Sequence, residues 1–140
     1  MARLLALAVA GACLVVLLIA TRLTPNRSGV GTHTLLGMEP CTFLAVTGIP
    51  CPGCGMTTAF SLFVRGRMWT SFYVQPMGAF LALLAGCCVW GGLYCAITGR
   101  AVYRVLQAVP SRYYLTPFLS WAVAAWVWKI ISMKMGIGGF

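Results

Sequence analysis

Three long stretches free of charge, Leu4 to Thr21, Met68 to Gly99 and Tyr113 to Trp128, constrain this 140-residue chain more than anything else in it. A helix needs about 20 mainly apolar residues to cross the hydrocarbon core of a bilayer. The chain as a whole is 61% hydrophobic and 8% charged, with a mean hydropathy of +0.92. A water-soluble fold of that composition could not cover its own surface with polar groups. The expected fold is therefore all-α and integral to the membrane, a single multi-pass domain with three spans and the lipid bilayer as its first partner. The spans are placed at 1–22, 77–98 and 115–133, with a long loop at 23–76 and a basic loop at 99–114. The stretch "LAVAGAC" before Cys13 resembles a lipoprotein cleavage box, but apolar "LVVLLIA" continues beyond it, so a retained anchor is expected.

Charge excludes several classes of function. Ten basic residues face one acidic side chain, Glu39, for a net charge of +9. The basic residues stand singly at span ends, which suits anionic lipid head groups at about 1 kcal/mol per residue and does not form the continuous patch of a nucleic-acid binder. Paired-carboxylate catalysis is unavailable, and no serine–histidine arrangement or phosphate loop is present. An ordinary hydrolase is not expected. Arg3, Arg100, Arg104 and Arg112 fall on one side of the bilayer, three of them in the short 99–114 loop where the positive-inside rule is strongest. The amino terminus and that loop are accordingly expected inside a bacterial inner membrane, and residues 23–76 outside.

Within residues 23–76 the chain changes character. From Pro40 to Val64 it carries no charge, yet prolines at 40, 50 and 52 and glycines at 48, 53 and 55 forbid one continuous helix. A short helix over "MTTAFSLFV", started by Thr57 or Thr58, is expected to lie in the interface or re-enter the membrane. Non-helical backbone at membrane depth must be shielded by protein.

The break contains "CPGCG", Cys51 to Gly55. Pro52 fixes one backbone angle, and Gly53 and Gly55 permit positive φ, so the turn aims both sulfurs to one side. Cys54 would precede a helix start, where the dipole favours thiolate. A tetrahedral metal site needs four ligands. Cys41 is the natural third sulfur and His33 the single histidine available as a fourth, with zinc or iron as the cofactors this would suit. Three readings stay open: a structural turn, a metal site, or a redox dithiol with Cys41 as exchanging thiol. The remaining cysteines, Cys13, Cys87, Cys88 and Cys95, read as small apolar residues.

Gly78, Ala82 and Gly86 put small side chains on one face of the second span, where another helix can approach closely. This face is the expected docking site for other membrane subunits, with the chain as a non-catalytic subunit or scaffold. Lys129 and the tryptophans Trp126 and Trp128 read as a snorkelling lysine and an aromatic belt closing the third span.

The stretch from Cys41 to Phe80 resembles a bacterial family of small membrane proteins, domain-of-unknown-function family 2752, whose members carry a cysteine, an "LTGLPCPGCG" segment, a "TRA" helix start, a "GD" turn and an "NP" entry to a span. Cys41, Cys51, Cys54, Gly48, Pro50, Pro52, Gly55, Thr57, Gly66 and Pro76 match that pattern. Thr58, Arg67 and Gln75 stand where members have arginine, aspartate and asparagine. The resemblance implies the architecture and the three cysteines, and no reaction.

Overall fold

The computed structural model describes residues 2–99 and 110–139, and it is all-helical. Arg100 and Arg104 of the expected basic loop lie outside the described residues. Among the described residues three helices are long and apolar enough to cross a membrane: α1 (Ala2–Arg22), α5 (Pro76–Thr98) and α6 (Arg112–Lys134). Between α1 and α5 come a 3-10 turn (Thr32–Leu36) and three short helices, α2 (Thr42–Thr47), α3 (Met56–Phe63) and α4 (Met68–Val74). The sequence reading places α3 closely, but it runs "MWTSFYV" straight into the second span and has no helix at α2. The extended backbone of Gln75 (φ −156°, ψ 97°) separates α4 from α5, and Pro76 opens α5 at a position where its missing N–H costs nothing.

The long helices bury little of themselves. Trp90 and Ile97 on α5 are 75% and 74% exposed, an apolar surface that water would not tolerate and lipid covers without cost. α1 packs along α5, and the two backbones come close at Gly92, where an added Cβ would stand 2.6 Å from the Ala10 Cβ and 2.8 Å from the Ala6 carbonyl. This is small-residue packing of the kind membranes favour, and it falls at Gly92 and not at a position of the expected Gly78/Ala82/Gly86 stripe. Gly78 instead meets the chain's own α3: its Cβ would lie 2.9 Å from the Ala59 Cβ and 3.1 Å from the Met56 Cα. Ala82 is fully buried, while Gly86 has open space around it. Two of the three positions expected to dock a partner are thus filled by the protein itself.

The tightly packed region sits at one end of the bundle, where α1 and α6 finish and α5 begins. Ala59, Leu62, Val74 and Ala79 are fully buried there. So are several polar side chains, each of them bonded. The Thr32 and Thr58 hydroxyls meet at 2.7 Å, Ser71 Oγ donates to the Ala59 carbonyl at 2.7 Å, and Ser61 Oγ donates to the Thr58 carbonyl at 2.9 Å. Thr58 is therefore a core hydroxyl and not the cap of α3, whose N-cap is Gly55. Such pairing offsets the hydration these hydroxyls lose on burial.

Arg65 ties this end to the first span. Its Nη1 donates to the Ala20 and Ser61 carbonyls at 3.3 and 2.8 Å, and Nη2 donates to the Thr21 carbonyl at 3.0 Å. A guanidinium on the last carbonyls of a helix satisfies orphan acceptors and opposes the negative end of the dipole. Arg65→Met is expected to destabilise the protein by about 1–2 kcal/mol, read as a lower thermal midpoint in detergent micelles.

Candidate thiol centre

The sulfurs of Cys41, Cys51 and Cys54 all lie within 4.8 Å of one another. All three cysteines are free thiols, and the Cys51 thiol donates to the Cys54 sulfur at 3.3 Å. Local backbone explains the pair. The Cys54 N–H bonds the Cys51 carbonyl at 3.0 Å and the Met56 N–H bonds the Gly53 carbonyl at 3.1 Å, so two consecutive turns fold the knuckle onto itself before α3 begins. Gly55 carries the left-handed angle this needs, at φ +87°, but Gly53, expected to share it, does not. Cys41 arrives from the other side: it is the N-cap of α2, and that helix together with the left-handed turn at Gly48 returns the chain to Pro50.

Burial sets the two outer thiols apart. Cys54 is 5% exposed, and its pKa is pushed up to about 12, chiefly by burial and then by its sulfur neighbours. The helix start following it does not offset the lost hydration, which corrects the expectation of a stabilised thiolate there. Cys41, half-buried, is the thiol that gains: the Leu44 backbone N–H in the first turn of α2 lowers its pKa, with the Cys54 and Cys51 thiols adding to the effect. A nucleophilic or ligating thiolate would thus form first at Cys41.

His33 is not part of the convergent group. Its Nε2 lies 3.2 Å from the Glu39 carbonyl, and its ring lines a pocket of about 380 Å³ whose wall also includes Asn26, Thr34, Cys41 and Cys54. It borders the space in front of two sulfurs without joining them.

Residues 41–89 match the family described as Protein of unknown function (DUF2752). The matched stretch takes in the three cysteines, α2 to α4 and most of α5, and it leaves out α6. No curated protein and no solved structure matches the chain. Within the matched stretch Gln75 is fully buried and its Nε2 donates to the Pro52 carbonyl at 3.0 Å, holding the knuckle from the α5 side. Its Oε1 is buried without a partner.

Outside that stretch, α6 holds the same loop from the opposite side. Trp126 Nε1 donates to the Pro50 carbonyl at 2.8 Å, one residue before Cys51. Trp128 Nε1 donates to the Tyr73 carbonyl at 2.8 Å, and its ring meets the Tyr73 ring edge-on at 5.7 Å. These indoles clamp backbone rather than form a belt. Lys129 is fully buried, its Nζ bonded to the Gly29 and Val74 carbonyls at 3.1 Å each, and does not snorkel. The sequence reading missed these roles because a lysine and two tryptophans near the end of a span look alike whether they turn outward to head groups or inward to protein.

Proposed function

We propose that this is a bacterial inner-membrane protein whose function centres on a thiophilic metal ion, with Cys41, Cys51 and Cys54 as three ligands. The observation that carries the reading is the convergence of three sulfurs within 4.8 Å of one another at the protected end of the bundle. Three thiolates fit zinc with an open fourth position better than they fit an iron–sulfur cluster, which takes four. The pocket beside Cys41 and Cys54 leaves room for a water or an exogenous ligand at that fourth position. With the amino terminus inside, the centre faces outward, where such an ion would be exchanged with the periplasm or the outer medium.

A second reading rests on the 3.3 Å separation of the Cys51 and Cys54 sulfurs. In it the two thiols close to a disulfide, giving two protons and two electrons to a membrane quinone, which becomes the hydroquinone. The metal reading is favoured because it uses all three sulfurs.

Cobalt titration of purified, reduced protein in detergent separates the two. One Co²⁺ per chain is expected, with thiolate-to-cobalt charge-transfer absorbance that disappears in Cys51→Ser. Absence of cobalt binding, together with a thiol count that falls by two on adding quinone, would replace the metal reading with the redox one.

A further inference from the structure

Lys129 presents a charge problem that no other side chain among the described residues solves. Its side chain is fully buried, and the two carbonyls that receive its Nζ, those of Gly29 and Val74, solvate an ammonium without neutralising it. A buried charge with no counter-charge is strongly unfavourable. The sequence has one acidic side chain, Glu39, and it is exposed. What Lys129 does adjoin is the thiol centre. A Cβ on Gly55 would lie 3.0 Å from Nζ and 3.2 Å from Cε, so the amine stands directly against the residue after Cys54.

We infer that Lys129 is the charge-balancing residue of the thiol centre, the fixed cation that lets three thiolates hold a divalent ion. The inference rests on the metal reading and extends it. Three thiolates and a divalent ion leave one negative charge, and the Lys129 ammonium brings the sum to zero inside a site of low dielectric constant. A monovalent ion on the same three thiolates would leave the centre negative. The ion is therefore divalent and thiophilic, of the zinc class. The family stretch does not contain this lysine; it comes from α6 and is a positioning residue brought in from the third span.

Three variants test it by cobalt titration in detergent, with helicity and thermal midpoint checked in each. Lys129→Gln keeps a donor for the Gly29 and Val74 carbonyls but loses the charge; Lys129→Met keeps the length and loses both; Lys129→Arg keeps the charge. Cobalt affinity is expected to fall by about tenfold or more in the glutamine and methionine variants and to stay near wild type in the arginine variant. Charge-transfer absorbance per bound cobalt should drop by roughly one third in the neutral variants, as two thiolates replace three. A glutamine variant that binds cobalt as the wild type does would overturn the inference, because hydrogen bonding alone would then account for the lysine. If the wild type itself binds no cobalt, the metal reading fails and the lysine is judged separately, by the rate at which iodoacetamide alkylates Cys41, Cys51 and Cys54 at one fixed pH. Slower alkylation in Lys129→Gln supports the counter-charge, and equal rates refute it.

Discussion

Gly55→Ala is expected to dismantle the thiol centre while leaving the three spans in place. Two costs act together at this position. The backbone sits at φ +87°, which a residue with a Cβ adopts at a cost of about 1–2 kcal/mol. The added methyl would also come 2.6 Å from the Gly29 carbonyl and 3.0 Å from Lys129 Nζ. Neither neighbour is free to yield, since that carbonyl is itself a partner of the Lys129 amine and the lysine is enclosed on all sides. Overpacking of this kind costs about 1–3 kcal/mol. The strain is relieved by a shift of the knuckle, because Gly55 is the hinge between Cys54 and α3 and the spans are anchored elsewhere. Wild-type helicity with cobalt affinity lowered about a hundredfold or more is the expected outcome. Retention of full cobalt affinity would mean that the turn at Gly55 does not set the position of Cys54.

How much of this was readable beforehand depended on sequence distance. The spans declare themselves through composition alone, since 20 apolar residues leave few other structures to form. The knuckle is likewise local: Pro52, Gly55 and the two cysteines act within five positions. Cys41 is a middle case. Its place beside the knuckle depends on α2, a six-residue helix whose sequence, "TFLAVT", carries β-branched residues at both ends and little intrinsic helical signal. The polar core at the loop end was not readable at all. Thr32 pairs with Thr58 across 26 residues and Lys129 reaches Gly29 across 100, and nothing in their immediate neighbours distinguishes them from surface residues. The pKa order of Cys41 and Cys54 went the other way from the local argument for the same reason: burial, a tertiary property, outweighed a helix start.

Glycine substitutions on α5 separate packing within the chain from any surface left for others. Gly92→Leu is expected to force α1 away from α5, because its side chain would enter space already occupied by the Ala10 methyl and the Ala6 carbonyl. Membrane helices gain little from hydrophobic exclusion between themselves and rely on close van der Waals approach, so a widened seam loses most of what holds the pair. The cost is about 1–3 kcal/mol from overpacking, before any loss of the neighbouring contacts. Gly78→Leu should be as disruptive at the other end of the helix, where it would push Met56 and Ala59 outward and carry α3 and the knuckle with them. Gly86→Leu meets open space and should leave thermal midpoint and cobalt binding near wild type. A protein in which all three leucine variants melt alike in detergent would contradict this assignment of faces. If Gly86→Leu is stable alone yet loses an associated protein in native membranes, the free part of that stripe is where a partner helix sits.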